Sequence, residues 1–117
     1  MNHLGKLAEI KVAALLRKKK YTILEFNYTS RFGEIDIIAE NGKYIIFGEV
    51  KMRSDNAIAL PREFVDERKQ NRISVTAQLY LAQNPTHLQP RFDVFEVFSS
   101  NGKIKSVKHL ENAFTLL

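Results

Sequence analysis

The chain has no cysteine, which excludes disulfides and thiolate metal sites and suits a reducing compartment. No apolar run approaches the ~18–20 residues needed to cross a bilayer. The first residues also lack the apolar core of a secretory signal. The expected location is therefore the cytoplasm, away from any membrane. No linker, repeat or low-complexity segment divides the chain, and no Gly-rich phosphate loop is present. No Ser/His/Asp arrangement stands out. The histidines His3, His87 and His109 are scattered without metal-ligand spacing and read as surface residues. What remains is an ordinary globular composition over 117 residues. That length suits one domain, 1–117, burying about two-thirds of its unfolded surface.

Acidic residues are scarce at the N-terminal end. Net charge is +5, and residues 1–20 hold six Lys or Arg against the single Glu9. Most of that excess is the run Arg17-Lys18-Lys19-Lys20. Cations complement the dipole at a helix C-terminus, and charge alone favours that solvated reading. A metal-binding carboxylate cluster elsewhere would shift the balance toward phosphate contacts with nucleic acid.

Periodicity predicts a helix over His3–Lys20, with Leu4, Ala8, Val12 and Leu15 on one row and Glu9 on a neighbouring stripe with Gly5, Val12 and Leu16. Strands are predicted at Tyr21–Tyr28, Gly33–Ala39 and Lys43–Lys51, the last two joined by an Asn41-Gly42 turn of the kind hairpins favour. Met52–Leu60 has no clear period and reads as a loop. Pro61 fits the first turn of a second helix running to Gln83. Arg91–Phe98 and Lys103–Val107 read as strands, followed by a short helix or coil. The order helix, three strands, helix, two strands implies helices on a mixed sheet.

Within the Gly33–Lys51 hairpin three ionisable groups break the apolar pattern. Strand side chains alternate faces, so Glu49 and Lys51 point the same way in a strand otherwise made of Tyr44, Ile45, Ile46, Phe47 and Val50. Glu34 or Asp36 lies opposite Glu49, and the hairpin register decides which. Cross-strand partners have Cβ atoms about 5 Å apart, so carboxylates and an ammonium gather on one sheet face. Phosphodiester hydrolysis needs a metal held by hard oxygen ligands and a cation to offset developing charge. Asp36 and Glu49 could be those ligands, joined by the Val50 carbonyl. Lys51 would be the cation, and Glu9 could complete the site from the first helix.

Each residue also has a plain reading. Glu49 and Lys51 could form a surface ion pair of little worth, Asp36 could face solvent, and Glu9 could be an exposed helix residue. The joint pattern carries the argument. Asp93 beside Arg91 suits a structural ion pair. Arg31, Arg53, Lys69, Gln70 and Arg72 flank the cluster or lie in the next helix, and are either phosphate contacts or solvated polar groups. Tyr28 and Phe32 could stack on bases, with core packing the favoured reading.

An acidic helix residue, then Asp, then Glu-x-Lys on the following strand resembles the PD-(D/E)XK nuclease superfamily, which includes restriction endonucleases and archaeal Holliday junction resolvases. More narrowly, the chain resembles the YraN-like family of small bacterial proteins. The matching stretches are Gly5-Lys6-Leu7-Ala8-Glu9, Asn27-Tyr28 through Gly33-Glu34-Ile35-Asp36-Ile37-Ile38-Ala39, Phe47-Gly48-Glu49-Val50-Lys51-Met52-Arg53, and Arg91-Phe92-Asp93-Val94. The resemblance implies a restriction endonuclease-like α/β/α core, with a mixed five-stranded central sheet flanked by helices. It implies magnesium- or manganese-dependent cleavage of DNA, including branched or repair intermediates, with RNA as the other substrate class. Asp36, Glu49 and Glu9 would bind metal, Lys51 would assist catalysis, and Gln70 would face the site. Related enzymes acting on branched DNA work as dimers, which adds a homodimer to the expectations. The alternatives are a non-catalytic nucleic-acid-binding module retaining this fold, and an interaction protein whose acidic cluster is a structural ion-pair network.

Overall fold

The computed structural model describes residues 3–54 and 66–115. Helix α1 spans His3–Lys18 and buries Ala8, Val12, Ala13 and Leu16 along one stripe. It stops at Lys20, whose φ of 72° is incompatible with a continuing helix. Strands β1 (Thr22–Ser30), β2 (Gly33–Glu40) and β3 (Tyr44–Ser54) follow as an antiparallel meander. Helix α2 (Glu67–Gln83) then crosses over to β4 (Gln89–Ser100), which lies parallel to β3. Strand β5 (Lys103–Phe114) returns antiparallel to β4, giving a mixed five-stranded sheet in the order β1-β2-β3-β4-β5.

The two helices cover opposite faces. Alternate residues of the same strands pack to either side: Ile37, Ala39, Ile46, Phe95 and Val97 join the α1 core. Ile38, Ile45, Phe47, Phe92 and Val94 join Ile73, Ala77 and Tyr80 of α2. Strands covered on both faces read as nearly continuous apolar runs, which is why β3 and β4 look so hydrophobic. At Gly48 a Cβ would lie 2.7 Å from both Ile37 Cγ2 and Phe95 Cε2. Only glycine lets β2, β3 and β4 close up at that level.

The element order and the α/β architecture are as expected, while several boundaries differ. The third strand continues through Met52, Arg53 and Ser54, which were expected to open a loop, because they pair with Val97, Phe98 and Ser99 of β4. Residues 55–60 of that expected loop, and Pro61, lie outside the described residues. Helix α2 begins at Glu67, where the Asp66 side chain accepts the Lys69 backbone N–H at 2.8 Å. The expected terminal helix or coil is instead the end of β5. Leu110, Ala113 and Phe114 pack into the α2-side core, and Phe114 stacks on Phe92 at 4.9 Å.

Candidate functional site

The β2–β3 ladder runs from Glu40↔Ile45 to Ile37↔Gly48 and ends there. Continued by one residue, it would pair Asp36 with Glu49. Register therefore selects Asp36 over Glu34, which pairs instead with Thr29 of β1. In place of a further ladder bond, Asp36 Oδ2 accepts the Val50 N–H at 2.8 Å. Ile35 packs with the α2 core and Ile37 with the α1 core, so β2 changes face at Asp36. As a result Asp36 borders two cavities. One, of about 440 Å³, is shared with Glu34, Glu49, Lys69 and Arg72. The other, of about 140 Å³, is shared with Gly5, Glu9, Val50 and Met52.

Glu49 is buried, and its Oε1 is paired with the Lys69 ammonium reaching over from α2. Burial first, and then the charge of Glu49, push the Asp36 carboxyl up to about 7, against the pull of the Val50 N–H. Burial lowers the Lys51 amine, and the neighbouring Lys69 ammonium lowers it further. Burial also pulls on Lys69, but its hydrogen bond to Glu49 and the charges of Glu49 and Asp36 outweigh that and hold it above its usual value. Two carboxylates and two amines thus act on one another where the β2–β3 ladder ends.

Glu9 is not the exposed helix residue of the plain reading. It is half-buried, and its Oε2 is buried without a hydrogen-bond partner. Among the described residues no group of three or more His, Cys, Asp or Glu is drawn together for a metal ion. The donor chemistry nevertheless fits a hard divalent cation. Magnesium takes one or two carboxylates and completes its shell with water and phosphate oxygens. Asp36 and Glu49 on the larger cavity would make such a pair, and Glu9, with its orphaned oxygen, lines the smaller cavity together with Asp36.

The flanking residues divide. Lys69 and Arg72 line the larger cavity. Arg31 is exposed on the β1–β2 turn, its guanidinium 5.1 Å from the centre of the Phe32 ring. Arg53 Nε is turned to Glu96 Oε2 at 3.2 Å. Gln70 is half-buried in the first turn of α2, its N–H bonded to the Asp66 carbonyl. The two aromatics separate cleanly. Tyr28 packs edge-on against Tyr80 at 5.1 Å, whereas Phe32 stays 45% exposed. Sequence reasoning placed Lys69 among phosphate contacts and missed its pairing with Glu49, which no local pattern signals.

A second charged cluster lies on the α1 face, level with Gly48. Asp93, wholly buried, accepts both Nε and Nη2 of Arg91, at 2.9 and 2.8 Å, and the Asn112 N–H at 3.0 Å. Arg91 also donates to the Tyr21 hydroxyl at 2.7 Å. The expected Arg91–Asp93 ion pair is present. His109 corrects the surface reading: its side chain is 2% exposed, stacks on Phe95 at 4.4 Å and joins Asp93 Oδ2 through Nε2 at 2.7 Å. Burial alone would push the Asp93 carboxyl up, but the hydrogen bonds from His109, Arg91 and Asn112 overcome it and hold the group below its usual value. No described helix is long and apolar enough to cross a membrane.

Comparison with known proteins matches residues 8–97 to the family described as "Uncharacterised protein family UPF0102". The chain is 43% identical over 113 residues to the UPF0102 protein TTE1452 of Caldanaerobacter subterraneus subsp. tengcongensis, covering 94% of this chain and 93% of the relative. It is 42% identical to a UPF0102 protein of Dictyoglomus thermophilum, covering 95% and 96%. A UPF0102 protein of Persephonella marina is 40% identical, covering 96% and 93%.

Proposed function

The chain belongs to the UPF0102 family, and we propose that it is a metal-dependent endonuclease hydrolysing phosphodiester bonds in DNA, with the PD-(D/E)XK arrangement as its catalytic centre. One observation carries this reading. Asp36 and Glu49 border a common cavity, and the Asp36 carboxyl is pushed up to about 7 by burial and by Glu49. Carboxylates held in mutual repulsion inside a cleft are a mark of functional sites, and a divalent cation would relieve the repulsion.

Asp36 and Glu49 would hold magnesium or manganese, with the orphaned Glu9 oxygen as accessory ligand. When bound, the cation supplies a Lewis acid that polarises the phosphoryl oxygen and eases deprotonation of the attacking water. Lys51, lowered by burial and by Lys69, exchanges a proton at Nζ more readily than an ordinary lysine. In its charged form it offsets the charge that develops on the phosphate. Lys69 and Arg72, on the cavity wall, hold the phosphate in place. Buried charge at the floor and cations at the rim suit recognition of the backbone, so discrimination would rest on nucleic-acid structure, such as branches, more than on a long base sequence.

A second reading, a nucleic-acid-binding module without catalysis, is favoured by one contact: Lys69 already partners Glu49. Cleavage of labelled single-stranded, duplex and four-way DNA separates the two readings. The substrates are offered with magnesium, manganese or chelator, to wild type beside Glu49→Ala and Lys51→Ala. Metal-dependent cutting that disappears in both variants is the expected result. Chelator-resistant binding with no cutting, unchanged in the variants, would leave the binding module.

A further inference from the structure

A third cavity, of about 650 Å³, opens between the β1–β2 turn and α2, and its walls include Arg31, Phe32, Glu34, Arg72 and Val75. It shares Gly33, Glu34 and Arg72 with the cavity that holds Asp36 and Glu49, so the two adjoin. Its size suits a single small ligand. The turn is not loosely attached. Ser30 Oγ bonds Thr76 Oγ1 of α2 at 2.8 Å and accepts the Phe32 N–H at 3.1 Å. A Cβ at Gly33 would lie 3.2 Å from Arg72 Cβ, so turn and helix are in close contact. This firm turn nevertheless presents Phe32 at 45% exposure, beside Val75 at 38%. Phe32 on the fixed turn and Val75 on α2 form an exposed apolar pair flanked by two arginines, a surface that a bound ligand would cover.

We propose that this cavity binds one unpaired nucleotide beside the candidate centre, with Phe32 stacking on the base and Arg31 and Arg72 holding the flanking phosphates. The inference rests on the endonuclease reading only for its location. Charge and shape argue for this occupant. The arginines complement a polyanion, and an aromatic face takes any base. Inside a duplex both faces of a base are already stacked, so the base that reaches Phe32 must be unpaired. The Arg31 guanidinium over the Phe32 ring puts positive charge where a flanking phosphate would lie, and exposed Glu34 can accept from a base amino group.

The test is binding, measured in chelator so that cutting plays no part. Fluorescence anisotropy compares short labelled oligo(dT) and oligo(rU) with a blunt duplex, for wild type, Phe32→Ala, Phe32→Trp and Arg72→Ala. A fluorescent adenine analogue in the oligonucleotide reports stacking directly. Single strands should bind more tightly than the duplex. Phe32→Ala should weaken single-strand binding about ten-fold and abolish the stacking signal, while Phe32→Trp keeps both. Equal loss on oligo(dT) and oligo(rU) places the contact on the base and phosphate and not on the sugar. Phe32 is exposed, so an unchanged melting temperature in Phe32→Ala verifies that the loss is local. Equal affinity of wild type and Phe32→Ala, a preference for duplex, or no single-strand binding would each overturn the proposal. Phe32-dependent stacking in a protein that never cuts would leave this site standing and remove the endonuclease. Normal cutting by Phe32→Ala, with no stacking signal in wild type, would do the reverse.

Discussion

Asp93 is wholly buried and accepts four hydrogen bonds, from Arg91, His109 and Asn112. Asp36, on the neighbouring stretch of the same sheet, accepts one among the described residues, from Val50, and faces a second carboxylate. Desolvation is the first influence on both groups, yet it prevails at Asp36 and is overcome at Asp93. The difference lies in what each strand neighbour contributes. At Asp93 every partner is a donor. At Asp36 the partner strand supplies Glu49, and the compensating Lys69 arrives from α2 and bonds Glu49. A satisfied network of the first kind fixes structure. A crowded pair of the second kind holds unfavourable energy that a ligand can release.

The sharpest test of that contrast removes the satisfied partner. Asp93→Ala takes their shared acceptor from the Arg91 guanidinium and the His109 ring and leaves Arg91 the Tyr21 hydroxyl and the exposed Glu111. Breaking a buried pair from one side costs about 3–5 kcal/mol, so the melting temperature should fall by roughly 10 °C or more. A drop of only a degree or two in thermal denaturation would break the comparison. Asp36→Asn keeps an oxygen for the Val50 N–H and removes the repulsion with Glu49. It should leave the melting temperature at neutral pH unchanged or raise it.

Next in size is the response to a divalent cation. If Asp36 and Glu49 hold it, magnesium at about a hundred times its dissociation constant stabilises the chain by roughly 2.7 kcal/mol. The same titration should leave Asp36→Asn and Glu49→Gln close to their metal-free melting temperatures. Asp93 makes no such contribution, so an equal shift in all the variants would place the cation elsewhere.

The two carboxylates also give opposite pH dependences. Between the usual 3.8 and about 7, Asp36 keeps its proton in the folded chain while the unfolded chain has lost it. Stability therefore falls as pH climbs through that window. The cavity mouth admits solvent that screens the effect, leaving on the order of 2 kcal/mol. Asp36→Asn should flatten this slope. Asp93 is lowered from 3.8, so as pH drops below that value the unfolded chain takes up the proton first. Stability is then lost as pH falls further. Denaturant melts across pH should show both limbs, with only the upper one removed by Asp36→Asn.

How legible this was from sequence depends on whether parity or packing decides. Glu49 and Lys51 share a face by alternation alone, and their break in an apolar strand was visible. The choice between Asp36 and Glu34 needed the ladder's register, which a turn signal alone leaves open by two residues. His109 sits in a strand rich in lysine, which hid it. Its parity with Val107, which packs on the α1 core, was the available clue, together with the acidic Asp93 in the otherwise apolar middle of β4. The reach of Lys69 into the site depends on how α2 lies on the sheet, and no local pattern encodes that. Phe32 looks like a core residue by composition, and only its place at the tip of a turn marks it as exposed.

The smallest effect bears on whether the Lys69–Glu49 contact belongs with Asp93 or with Asp36. Lys69 is 42% exposed on its side chain, and Glu49 only 7%. The pair is therefore screened on the Lys69 side and desolvated on the Glu49 side. If Glu49 holds a divalent cation as proposed, the Lys69 ammonium competes with it for that carboxylate. Lys69→Gln frees the carboxylate and removes a positive charge beside the site, and both changes favour the cation. Half-saturation by magnesium, followed by calorimetry, should move down by about three- to ten-fold, equivalent to roughly 1 kcal/mol. The measurement belongs near pH 8.5, about 1.5 units above the Asp36 value of about 7, where loss of Lys69 cannot act by protonating Asp36. The Lys51 amine, which Lys69 now holds down, should rise at the same time toward its usual value. If half-saturation moves up instead, Lys69 is aiming Glu49 at the cation. The contact would then be a fixed support of the same kind as the hydrogen bonds around Asp93.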